Sequence, residues 1–173
     1  MKIKLVKLSS KYKKQLFEMM DEWTKYNEDE NNNPNKSPYS IFKNDYHDFD
    51  NYLSNLEIKE FDGKYVPDST FFALDIKRDI FVGAVNIRHF LTDDLLKFGG
   101  HIGDGVRPSE RRKGYGSEII RLALKECKKL NIDNVLIICD KDNIGSRKTI
   151  INNGGIKEES TSLDSQERYW IKI

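Results

Sequence analysis

Two cysteines, four prolines and two tryptophans are all that 173 residues contain of those types. So few thiols exclude a disulfide-stapled scaffold. Cys127 and Cys139 also lack metal-ligand spacing, so both are expected as reduced, buried thiols of a cytoplasmic protein, with no metal bound. A dominant charge is missing too. There are 29 Lys and Arg against 28 Asp and Glu, a net +1, which sets up no global field toward nucleic acid or a membrane surface. Apolar runs reach about six residues, against the ~20 that span a bilayer. The opening MKIKLVKLSS alternates charge and hydrophobe, without the continuous apolar stretch of a secretory signal.

What is present suits one globular domain over residues 1–173, long enough to bury a core. Residues 2–8 alternate like a half-buried strand, and Leu16, Phe17, Met20 and Trp23 fall at helical spacing within 11–26. The Asn-rich stretch 27–37, broken by Pro34, is expected as a mobile loop. A second helix is expected near 45–56, then strands over 70–76 and 80–90 joined by a turn at 77–79. Two closing strands are expected at 156–162 and 168–173. The order predicts an α+β fold, with a central mixed sheet between helices.

The most informative stretch is RRKGYGSEII, 111–120, where basic residues run into two glycines and an amphipathic helix begins at once. Glycines let a backbone approach a ligand, and the first N–H groups of a helix lack intrahelical acceptors, so this arrangement makes an anion site. Arg111, Arg112 and Lys113 add to the partial positive charge of the helix terminus. The spacing is not that of the Walker loop, and Glu118 and Ile119 stand where a dinucleotide fingerprint would need its third glycine. Upstream, 99–108 reads as a short strand stopped by Pro108. Downstream, the apolar run 134–139 reads as a strand buried on both faces, like the inner strands of a parallel sheet. Asn143-x-x-Ser146 then opens a helix that Gly154-Gly155 closes.

Arg111-x-x-Gly114-x-Gly116 resembles the Arg/Gln-x-x-Gly-x-Gly/Ala signature of the GNAT superfamily of N-acetyltransferases, and Asn143-x-x-Ser146 is similar to that family's second cofactor-contacting segment. The resemblance is clearest over 99–155. It is nearest a bacterial branch of predicted acetyltransferases with similar Gly-Gly-His-Ile-Gly and Asn-Gly-Gly elements. It implies an α/β/α sandwich whose central mixed sheet is mostly antiparallel. It also implies transfer of an acetyl group from acetyl-CoA to a primary amine on a small molecule or a protein. The implied cofactor contacts are Val106 and Arg107 at the strand end, then Arg111, Arg112, Lys113, Gly114, Tyr115, Gly116 and Ser117, with Asn143 and Ser146 on the second segment. A homodimer is compatible with this reading.

Two positions depart from the family pattern. Many members carry a proton-donating tyrosine four residues after the serine, where this chain has Ile150. Some carry a basic glutamate where it has Gly100. Tyr169 is the candidate general acid, and His101 and Asp104 are the candidate general bases, each with a structural role open to it as well. The acids Glu28, Asp29 and Glu30 on the first loop suit a cationic amine. Two other classes stay open: a non-catalytic acyl-CoA-binding module, and a nucleic-acid binder using the basic face around Arg107 and Lys113.

Overall fold

The computed structural model describes residues 2–159 and 165–173. Four strands form one antiparallel sheet in the order β1 (Ile3–Val6), β2 (Asp68–Asp75), β3 (Ile80–Arg88), β4 (Ile102–Val106). A second antiparallel sheet has the order β5 (Asn134–Asp140), β7 (Gln166–Lys172), β6 (Ile156–Lys157). The expected strand at 134–139 is therefore present, but it pairs antiparallel with β7 rather than sitting inside a parallel array.

Helix α1 (Lys13–Glu28) follows a tight turn at Ser10–Tyr12 and buries Leu16, Met19, Met20 and Trp23, positions that share one face at 3.6 residues per turn. Helix α2 (Phe49–Ser54) is shorter than the expected 45–56. Its start is set by Asp48, whose carboxylate accepts the Asn51 N–H. These two helices and the inward residues Phe72, Phe81 and Ala84 form one core. Helices α3 (Tyr115–Lys129) and α4 (Ile144–Asn152) cover the other face, where Val85, Ile119, Ile120, Val135, Ile137 and Ile150 pack together. No helix among the described residues is long and apolar enough to cross a membrane.

The loop after α1 is tied down, contrary to the expectation of mobility. Trp23 Nε1 and Asn27 Nδ2 both donate to the Asn35 carbonyl at 3.0 Å, and Asn27 Oδ1 accepts the Asn35 N–H at 2.9 Å. Asparagine supplies donor and acceptor from one side chain, so a polar, Asn-rich segment can lock onto a helix without an apolar anchor. The first expected closing strand reduces to Ile156–Lys157, and its remainder reaches 160–162, outside the described residues.

Candidate active site

Strands β4 and β5 meet at His101 and Leu136. The His101 N–H donates to the Leu136 carbonyl at 2.8 Å, and the Leu136 N–H donates to His101 Nδ1 at 3.0 Å. Gly100 makes this approach possible. Its φ is +66°, and a Cβ there would stand 2.7 Å from the Leu136 oxygen.

Beyond this junction the strands part. Arg88 N donates to His101 O and Arg107 N to Val82 O, so odd-numbered residues of β4 bond to β3. The main-chain groups of Ile102, Asp104 and Val106 therefore face the β5 side. In β5, Ile173 N donates to Asp133 O and Lys141 N to Ser165 O, which turns Ile138 and Asp140 toward β4 by the same alternation. The result is a wedge, closed at His101–Leu136 and edged by main-chain groups outside either ladder. Such an edge accepts an extended, amide-bearing chain as an added strand.

The glycine turn stands at the mouth of the wedge. Gly114 caps α3 with φ +85°, and Arg112 before it is also left-handed at +61°. Glu118 N to Gly114 O, 3.4 Å, is the first bond of the helix, so the N–H groups of Tyr115, Gly116 and Ser117 have no intrahelical acceptor. Three amides without intrahelical acceptors at the positive end of a 15-residue helix make a cradle that can accept phosphate oxygens. Gly116 has a packing role as well, since a Cβ there would lie 3.2 Å from Thr149 Oγ1 of α4 and 3.6 Å from Val106 Cγ2.

The basic residues divide their work in a way the motif does not announce. Arg107 Nε bonds Glu22 of α1 at 2.5 Å, and the same carboxylate accepts the Ser109 N–H at 2.8 Å. Arg111 turns back over the Tyr26 ring, 4.6 Å from its centroid, and its Nε reaches the Val106 carbonyl at 3.2 Å. Lys113 bonds Glu110 at 3.2 Å. Arg107, Arg111 and Lys113 thus brace the turn, and Arg112 is left exposed.

Beneath the turn lies a polar cluster that the motif does not include. Arg78 forks onto Glu110 with two 2.9 Å bonds, and its Nε bonds Asp75 at 3.0 Å. The Tyr115 hydroxyl donates to Asp75 at 2.8 Å, so its side chain points inward rather than toward a ligand. Burial alone would raise the Asp75 pKa. The bonds from Tyr115 and Arg78 outweigh it and hold the carboxyl down at about 2. Asp75 and Arg78 reach Glu110 and Tyr115 across 32 to 40 positions of chain, so no local pattern marks the cluster.

On α4, Asn143 Oδ1 accepts the Ser146 N–H at 3.0 Å as an N-cap, and Asn143 itself is exposed. The Ser146 hydroxyl lies against the buried Cys139 thiol. Asn143 and Ser146 thus sit at the start of α4, directly after β5.

A family model for the acetyltransferase (GNAT) domain matches residues 5–156. The chain belongs to the GNAT acetyltransferases. Solved GNAT structures share the fold at low identity. The N-acetyltransferase PseH of Campylobacter jejuni, in complex with acetyl coenzyme A, is 16% identical, with a TM-score of 0.58 and 99% of each chain covered. Mutant forms of the spermidine/spermine N-acetyltransferase SpeG from Vibrio cholerae are 15% identical, with a TM-score of 0.60, covering 99% of this chain and 95% of theirs. RimL, a ribosomal L7/L12 alpha-N-protein acetyltransferase in complex with coenzyme A, is 14% identical, with a TM-score of 0.64 and coverage of 99% and 94%. No curated protein matches the chain in sequence.

Within this GNAT domain the three candidate proton-transfer groups are in unlike settings. His101 is buried, and desolvation with the nearby Arg88 charge lowers its pKa to about 4. The neutral ring spends its Nδ1 lone pair on Leu136, which leaves it no acceptor for a substrate proton. Tyr169 is buried, its hydroxyl donates to Glu167 at 2.7 Å, and burial with that carboxylate pushes it up to about 12. Lys157 and Arg147 complete the Glu167 ion cluster. Asp104, half-buried, has no hydrogen-bond or ionic partner among the described residues, and desolvation raises it to about 6. Ile150, where the family places tyrosine, is a core residue of the α4 face.

Proposed function

We propose that the protein transfers an acetyl group from acetyl-CoA to a primary amine of a small molecule or a protein. The observation that carries this reading is the combination of an open main-chain edge on β4 with the amide cradle at Gly114–Ser117, continuous along one side of the wedge. The β4 edge, from Ile102 to Val106, suits the two amides of the pantetheine arm. The cradle suits the pyrophosphate, and Asn143 Nδ2 with Ser146 would contact the arm from the far wall. Two of the similar solved proteins are named for amine acceptors, one a polyamine and one a protein N-terminus, which supports nitrogen as the acceptor atom. Exposed Glu28, Asp29 and Glu30 lie at the end of α1 and would draw a cationic amine.

Thermal shift with CoA and acetyl-CoA tests the donor half. Ligand at ~100 times its dissociation constant adds about 2.7 kcal/mol, or several degrees at ~2–4 °C per kcal/mol. Thiol release across a panel of polyamines, amino acids and peptide N-termini tests the acceptor half. Tight CoA binding without turnover on any amine would favour a non-catalytic acyl-CoA-binding module, the reading that Ile150 and Gly100 support. No thermal response to millimolar CoA would end both.

A further inference from the structure

We propose that Asp104 is the general acid of this enzyme, donating its carboxyl proton to the sulfur of the departing CoA. The proposal rests on the acetyl-transfer reading above and assigns the step that Ile150 leaves without a side chain.

Alternation along β4 fixes the direction of the carboxyl. Ile102 lies in the core beneath α3 and α4, with Val106 packed against it. Asp104 stands between them on the same face, whereas Gly103 and Gly105 turn toward Pro38 and Trp23 on the opposite face. Its position along the strand matters equally. The phosphate cradle begins past Val106 and the wedge is shut at His101–Leu136, so a chain entering from the cradle runs toward the junction and passes Asp104 midway. The phosphate end is held outside, and the thioester end therefore lies inside, beside this residue. No ion pair or hydrogen bond among the described residues engages the carboxyl, so it is free to turn to a ligand.

The competing groups on that face are committed elsewhere. Cys139 of β5 is buried beside Ser146, with its thiol pushed up by desolvation. Cys127 of α3 is a core thiol pushed up to about 12. Tyr115 of α3 bonds Asp75, Tyr169 of β7 bonds Glu167, and Arg147 of α4 pairs with Glu167. A proton moving from a carboxyl near 6 to a thiolate near ~8.5 runs downhill, whereas one leaving a phenol near 12 would run uphill. Filling the wedge removes more water from Asp104 and favours its neutral form further.

In the step, the amine nitrogen bonds to the acetyl carbon and the carbon–sulfur bond breaks, with its electron pair passing to sulfur. The Asp104 O–H proton follows to give the thiol. The proton shed by the new amide nitrogen goes to water, and solvent returns one to the carboxylate.

The test compares the parent with Asp104→Asn, which keeps the shape and removes the acid. With the best amine of the panel, kcat for thiol release should fall about 10²-fold in the variant. The parent kcat should decline as pH rises through the Asp104 ionisation, and that limb should vanish in the variant, while the CoA thermal shift is retained. A second readout is independent of turnover: carbon-13 NMR of the Asp104 carboxyl in the free protein, with CoA, and with desulfo-CoA. Both ligands should raise its titration midpoint, to different values, because one lacks the sulfur it faces. An unchanged kcat and pH profile in the variant, or a midpoint indifferent to CoA, overturns the assignment. Loss of CoA binding by the parent would strike the acetyl-transfer reading instead.

Discussion

His101 and Leu136 hold β4 and β5 together through two hydrogen bonds, one from backbone to backbone and one from backbone to ring. The imidazole supplies the acceptor that β4 itself would have offered in an unbroken sheet. The strands can then separate immediately beyond it without leaving the Leu136 amide buried and unpaired.

Replacing His101 by Ala is expected to cost about 1–3 kcal/mol, the penalty of an unsatisfied buried donor, and to weaken CoA binding by loosening the end of the wedge. Acid should expose the same residue. Its folded-state pKa of about 4 lies below the ordinary histidine value of 6.5, so the unfolded chain binds more protons between those values. Stability then falls as pH drops from 6.5 toward 4. His101→Gln, which keeps an acceptor without titrating, should flatten that part of a denaturant-midpoint series.

Asp104 contributes with the opposite sign. Its pKa rises from 3.8 to about 6 on folding, so the folded chain binds more protons in that window and its contribution is lost as pH increases through it. Asp104→Asn should therefore be more stable than the parent above pH 6, by up to roughly 3 kcal/mol. Equal melting temperatures for both proteins at pH 7.5 would contradict the burial of this carboxyl.

Arg78→Met should strand Glu110 and Asp75 beneath the glycine turn. Breaking a fully buried pair costs ~3–5 kcal/mol, and the partial exposure of Arg78 lowers that to roughly 2–4. CoA affinity should drop along with stability because the turn loses its support. Arg78→Lys retains the charge but not the two-pronged contact, so it should fall between parent and Met in both measurements.

Gly116→Val should weaken CoA binding and also lower stability by about 1–3 kcal/mol, since its side chain collides with Thr149. Adding Thr149→Ala makes room and should restore the denaturant midpoint without restoring CoA affinity. Recovery of both would mean that Gly116 serves helix packing alone.

The glycine turn, helices α1 and α3, and the Asn143 cap were all legible in the sequence, because each is written within about ten consecutive residues. The wedge was not. Its closed end depends on residues 35 positions apart, and its open edges follow from strand register, which periodicity alone does not supply. Nor do residue types give direction. Arg107, Arg111 and Lys113 sit in a basic run that reads as a phosphate grip, yet their side chains brace Glu22, Val106 and Glu110. Likewise Tyr115, adjacent to the cradle glycines, points into the core.

The Arg78 cluster also bears on how the domain opens and closes. The turn between β2 and β3 is bolted to the start of α3, so the cradle cannot loosen as a local surface loop without freeing the hairpin turn as well. Motions of the glycine turn are thereby merged with those of the central sheet into one cooperative unit. Occupancy of the cradle should then slow amide hydrogen exchange at Lys77–Asp79, far along the chain from any residue that would touch the nucleotide.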